Sequence, residues 1–133
     1  MILADTSAWV EFDRATGSIV ENRLSELIAG GGQIAVTEPV IMEVTAGARD
    51  AAREHDLRRL LGHCSLLRFD AAVDFDGAAR IYRTCRRNGV TPRGLIDCMI
   101  TSVAHRYGAT LLAADNDLRR IARVMGVPLD DDL

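Results

Sequence analysis

The chain contains no lysine: all sixteen of its basic residues are arginine. A nucleotide-binding phosphate loop is thereby excluded, because its lysine reaches the β- and γ-phosphates. Schiff-base chemistry on lysine is excluded for the same reason. Aromatic residues make up 5% of the 133 positions, too few and too scattered for a base-stacking platform. The three cysteines, Cys64, Cys85 and Cys98, form no C-x-x-C pair. Their odd number and wide spacing fit free buried thiols in a reducing compartment. His55, His63 and Cys64 offer zinc ligand atoms, but their spacing matches no finger pattern. No apolar run approaches the roughly 20 residues of a membrane helix. The start, Met1 to Asp5, has no basic region and is interrupted by Asp5. No signal peptide is expected there, and a cytoplasmic location is.

Nineteen acids against sixteen arginines give a net charge of −3. That excludes nucleic-acid binding by bulk positive charge and leaves a local site open. Hydrophobic residues make up 48% of the chain, enough for the core of one domain spanning 1–133.

Short apolar runs alternate with helical patterns. Ile2 to Ala4 and Gln33 to Val36 read as buried strands, as do Ser65 to Phe69 and Thr110 to Ala113. Val127 to Leu129 is a possible short fifth strand. Ser18 and Glu21 form a capping box that opens a helix, and Gly30 to Gly32 close it. Thr37 is placed to cap the next helix, with Pro39 in its first turn. A helix follows over about 48 to 62. Asp70 caps a long helix that stops at Asn88 and Gly89. After Pro92, the residues Ile96, Met99, Ile100 and Val103 mark one buried helix face. Leu118 to Met125 forms the last helix. The alternation predicts an α/β domain with a mainly parallel sheet and helices on both faces.

In such sheets ligands bind beyond the carboxyl ends of the strands. Asp5 directly follows the first strand, and Asp115 the fourth, with Asp117 close behind. Helix capping accounts for either aspartate alone. Glu43 lies among Val40, Ile41, Met42 and Val44, where a charge needs either solvent or a partner. Asp97 lies in the first turns of its helix, where the macrodipole alone favours an acid. All four lie at or near helix starts that follow a break, and such starts gather at one edge of a parallel sheet. Clustered carboxylates repel and raise one another's pKa values. A divalent cation removes that repulsion, and an oxygen-only set suits Mg²⁺ or Mn²⁺ rather than zinc. Such a cluster points to phosphoryl chemistry on nucleotides or nucleic acid.

These segments resemble the PIN-domain ribonucleases. Met1-Ile-Leu-Ala-Asp5-Thr6-Ser7 resembles the opening of that family, and Pro39-Val-Ile-Met-Glu43-Val its second acidic segment. Leu95-Ile-Asp97-Cys-Met-Ile100 resembles the third, and Leu111-Leu-Ala-Ala-Asp115-Asn-Asp117-Leu118 the last. The family often has an aromatic where Leu118 stands. Each motif is weak alone, and the four occur in the family's order across nearly the whole chain. The small size resembles the VapC-type toxins of bacterial type II toxin–antitoxin modules.

The resemblance implies a three-layer α/β/α sandwich around a short, mainly parallel sheet. It implies Mg²⁺ or Mn²⁺ held by Asp5, Glu43, Asp97 and Asp115, with Asp117 a weaker fifth candidate. Thr6 would orient the first acid or a water. The implied activity is endonucleolytic RNA hydrolysis, on structured RNA such as tRNA. The implied partners are a VapB-type antitoxin and a second copy of the chain. Trp9, Phe12 and the first helices are candidates for such an interface.

Arginine must supply the RNA contacts. Arg83 and Arg87 share a helical face, and Arg93 stands four residues before Asp97. The alternative for Arg83 and Arg87 is a solvated face near a helix end. Setting aside the four candidate ligands leaves fifteen acids, three of them Asp130, Asp131 and Asp132 on an expected mobile tail. A receiver domain and a haloacid-type phosphatase also place aspartates at strand ends, but both need a lysine. A further alternative is a catalytically weak PIN-like domain that binds antitoxin or RNA.

Overall fold

The computed structural model describes residues 1–130. The chain runs β1 (Ile2–Ala4), α1 (Thr6–Arg14), α2 (Ile19–Ala29), β2 (Ile34–Val36), α3 (Glu38–Ala46) and α4 (Ala51–Gly62). It continues through β3 (Ser65–Leu66), α5 (Ala71–Arg87), α6 (Leu95–Tyr107), β4 (Thr110–Leu112) and α7 (Asn116–Met125).

The strands form one sheet in the order β3-β2-β1-β4, and every pairing is parallel. β1 lies between β2 and β4, so the strand order reverses there. Leu3, Ala4, Ala35, Val36, Leu111 and Leu112 are all buried. Continuous apolar strands of this kind belong to a sheet covered on both faces. Helix α1 packs on α2 and α3, and α3 on α4; α5, α6 and α7 pack on one another, and α3 also meets α6. This is the expected α/β/α sandwich.

Four local expectations change. β3 stops at Leu66 because the Phe69 amide turns away to Glu38 Oε1, 2.7 Å distant, instead of extending the ladder. Val127 to Leu129 contributes one isolated parallel bridge, Leu111 to Leu129, in place of a fifth strand. Pro128 lacks the amide that a longer ladder would require. Thr37 occupies the N-cap of α3 without a side-chain capping bond; its hydroxyl is buried without a partner. Helix α4 begins three residues later than expected, at Ala51, where Asp50 caps the Arg53 amide at 2.7 Å.

Two residues considered for the surface are held by the fold. Trp9 is fully buried, with Phe12 packed edge-on against it at 6.0 Å, so Trp9 belongs to the core. Asp130 is docked: its amide donates to the Leu111 carbonyl at 2.8 Å, and its carboxylate accepts from Arg23 Nε at 2.7 Å. Asp131 and Asp132 lie outside the described residues.

Candidate metal centre

Because β1 and β4 are adjacent and parallel, both deliver an aspartate to the same edge. Asp5 follows β1 and caps α1, while Asp115 follows β4 and caps α7. The capping reading therefore holds for both aspartates. Asp5 is 2% exposed, and its Oδ2 accepts from the Ser7 amide at 3.0 Å and the Ser7 hydroxyl at 2.7 Å. Its Oδ1 is buried with no hydrogen-bond partner. Burial pushes the Asp5 carboxyl up to about 6; hydrogen bonds from Ser7 and Thr6 oppose the rise, and the charge of Glu43 adds to it.

Glu43 lies in the second turn of α3, further from its helix start than expected. It is half-buried and accepts from Thr6 Oγ1 at 2.6 Å. Thr6 thus orients Glu43 rather than Asp5. Ser7, which sequence reasoning passed over, holds Asp5 instead. Its hydroxyl also accepts from the Ala114 amide at 2.9 Å and the Asp115 amide at 3.2 Å.

Asp97 lies in the first turn of α6 and is half-buried. Burial raises its carboxyl to about 7, with further upward pushes from Asp5, Asp115, Glu43 and Asp117, in that order. The other four acids singled out in the sequence therefore all act on Asp97 through their charge. Carboxylate oxygens of Asp97, Asp115 and Asp117 lie within 4.8 Å of one another. Asp117, ranked last of the five on sequence, belongs to this tight group and is 6% exposed.

The donor set fits a hard divalent cation. It consists of carboxylate oxygens alone, those of Asp97, Asp115 and Asp117 are close enough for shared coordination, and Asp5 Oδ1 is buried without a partner. Among the described residues, His55, His63 and Cys64 do not join into such a group. Cys64, Cys85 and Cys98 are free thiols, as expected.

Residues 2–124 match the PIN domain family. The chain is 45% identical over 125 residues, 93% of either chain, to ribonuclease VapC11 of Mycobacterium tuberculosis. It has the same identity and coverage with VapC ribonuclease Mb1587 of Mycobacterium bovis. The chain belongs to the PIN-domain family.

Solved structures place this PIN domain in the same fold. VapBC2 of Rickettsia felis, bound to a fragment of its promoter DNA, superimposes with a TM-score of 0.73 at 21% identity, covering 98% of both chains. VapC20 of M. tuberculosis, described as a toxin cleaving the sarcin–ricin loop, gives 0.63 at 20% identity, covering 90% of this chain and 93% of its own.

The three candidate arginines separate within this PIN domain. Arg93 reaches the acids: its Nη2 donates to Asp115 Oδ1, and its backbone amide donates to Asp117 Oδ2 at 3.1 Å. Arg83 lines a cleft of about 590 Å³ together with Tyr82, Pro92, Arg93 and Leu95. Arg87 folds back along α5, donating to Thr84 Oγ1 at 3.2 Å. No helix is long and apolar enough to cross a membrane among the described residues.

Proposed function

We propose that this chain is a VapC-type toxin, an Mg²⁺- or Mn²⁺-dependent endoribonuclease held in check by a VapB-type antitoxin. The observation that carries this reading is the group formed by Asp97, Asp115 and Asp117, whose carboxylate oxygens lie within 4.8 Å of one another. The ribonuclease relatives at 45% identity support the activity, and the VapBC complexes of the same fold support the partner.

Asp97, Asp115, Asp117 and the free Oδ1 of Asp5 are the atoms that would hold the ion. When bound, the ion supplies positive charge against the scissile phosphate and eases deprotonation of a water. Thr6 holds Glu43 toward the same space. Ser7 fixes Asp5 and the start of the Asp115 segment as one unit. Hydrolysis forms an O–P bond from water and breaks the P–O3′ bond, and the departing 3′-oxygen takes a proton. The 2′-hydroxyl has no part, so products carry 5′-phosphate and 3′-hydroxyl ends.

Structured RNA such as tRNA is the proposed substrate, and Arg83 in the cleft beside the acids is a phosphate contact. A cytoplasmic setting fits the three free thiols. A homodimer is the proposed assembly.

The test is cleavage of a defined tRNA and rRNA panel by purified protein with Mn²⁺. EDTA and Asp97→Asn should each abolish cleavage, and end-mapping should give 5′-phosphates. Cleavage that survives both treatments would overturn the mechanism. Growth inhibition by a folded Asp97→Asn protein would instead favour a binding module over an enzyme.

A further inference from the structure

Arg93 places a fixed positive charge on the acids proposed to take a metal ion. Its Nη2 donates to Asp115 Oδ1, and its Nε lies 3.7 Å from Asp117 Oδ2. Those two residues and Asp97 are the group whose carboxylate oxygens lie within 4.8 Å of one another. A carboxylate lone pair directed at an N–H is not free to coordinate a cation. A divalent ion placed among these oxygens would also stand close to the guanidinium, and like charges at such separation repel.

Arg93 is loosely packed at its guanidinium. Its side chain is 71% exposed, so little packing holds the guanidinium in place. Exposed ion pairs are individually weak. The backbone of the residue is held separately from the guanidinium, its amide donating to Asp117 Oδ2 at 3.1 Å, the oxygen that Nε also faces. Arg93 itself lines the cleft formed with Tyr82, Arg83, Pro92 and Leu95, so open space lies on that side of its side chain.

We propose that Arg93 is a tethered counter-ion that competes with the divalent cation for Asp115 and Asp117. In the metal-free protein the guanidinium neutralises the pair. When the ion binds, the side chain turns into the cleft beside Arg83, where its donors face a substrate phosphate. Metal loading thereby frees a phosphate-binding arginine, and the two steps are coupled through one side chain. This inference rests on the metal reading given under Proposed function.

The test is calorimetric titration of Mn²⁺ into metal-free protein without RNA, comparing wild type with Arg93→Gln, Arg83→Gln and Asp97→Asn. Arg93→Gln should bind Mn²⁺ about fivefold tighter or more, since both the competition and the repulsion are removed. Arg83→Gln removes the same charge from the cleft and should leave the affinity within about twofold. In parallel, Mg²⁺ should move the Arg93 Nε–H resonance, identified by its loss in Arg93→Gln, toward the position of a free guanidinium. Equal or weaker Mn²⁺ binding by Arg93→Gln overturns the proposal, as does equal tightening in both arginine variants. Wild-type-like binding by Asp97→Asn overturns the metal reading and this proposal together. Failure of the first comparison alone leaves the metal reading standing.

Discussion

The Ser7 hydroxyl donates to Asp5 Oδ2 at 2.7 Å, from one turn of backbone that begins at the end of β1. The same oxygen accepts the amides of Ala114 and Asp115, at 2.9 and 3.2 Å, from the end of β4. One hydroxyl therefore ties the first acid to the segment that follows β4, whose strand the backbone ladder already holds beside β1. Ser7→Ala should leave two amides without this acceptor and release Asp5. A loss of about 1–3 kcal/mol in stability is expected. RNA cleavage should fall by at least about tenfold, because the carboxylate loses its fixed orientation. Urea unfolding and single-turnover cleavage measure the two effects, and wild-type values in both would refute the role.

Thr6 offers a cleaner separation. Its hydroxyl donates to Glu43 Oε1 at 2.6 Å across two helices. Thr6→Val keeps the shape and removes that bond. Stability should change by less than about 1.5 kcal/mol, the usual worth of one hydrogen bond. Cleavage should drop and recover in Thr6→Ser, which restores the donor. A Val variant as active as the Ser variant would show that Glu43 needs no such support.

The pKa shifts fix the sign of a pH effect. Asp5 and Asp97 are raised to about 6 and about 7 from an ordinary 3.8. The folded, metal-free protein thus holds these two protons more tightly than the unfolded chain. The stability they contribute is full below the ordinary value and is lost as pH rises through about 6 to 7. Metal-free protein should melt lower near about pH 8 than near about pH 5, and Mn²⁺ should restore much of the difference at the higher pH. Thermal melts across that range test it. A metal-free melting temperature that climbs with pH would contradict the burial of these acids.

Asp97→Asn tests the same cluster without a change of pH. It removes the carboxylate that four neighbouring acids push against. The metal-free variant should melt above the wild type near about pH 8 while Mn²⁺ no longer stabilises it. Equal responses to Mn²⁺ in variant and wild type would place the ion elsewhere.

Gly77 governs how closely α5 lies on α6, the helix that carries Asp97. A Cβ at Gly77 would stand 2.3 Å from Ser102 Oγ. That hydroxyl donates to the buried Asp74 carboxylate at 2.8 Å, which also accepts from Arg106 Nη2 at 2.6 Å. Gly77→Ala should cost about 1–3 kcal/mol, since the added methyl must displace the hydroxyl or part the helices. Denaturant unfolding checks this, and a neutral result would mean that Ser102 rotates away freely.

The residues that recur with strand and helix periods are legible in the sequence. Ile2 to Ala4 followed by Asp5, and Leu111 to Ala113 followed soon by Asp115, mark apolar strands ending in an acid. That order is local, and local order sets element type and the edge on which a side chain emerges. Partners distant in sequence were not legible in this way. Thr6 meets Glu43 across 37 positions, and Arg93 meets Asp115 across 22. Asp130, expected on a loose tail, meets Arg23 across 107. Trp9, an interface candidate on sequence, is sealed in the core because α1 packs against both α2 and α3.

By itself the sequence determined the α/β alternation, the aspartates that end β1 and β4, and an oxygen-only candidate donor set. It also determined, by omitting lysine, that arginine must make every fixed cationic contact. Only the tertiary structure decided that β1 and β4 are neighbours, that Asp117 joins Asp97 and Asp115, and that Arg93 turns toward the acids. The reason is physical. Backbone periodicity is imposed residue by residue, whereas burial and charge pairing depend on which distant surfaces the packed core brings within a few ångströms.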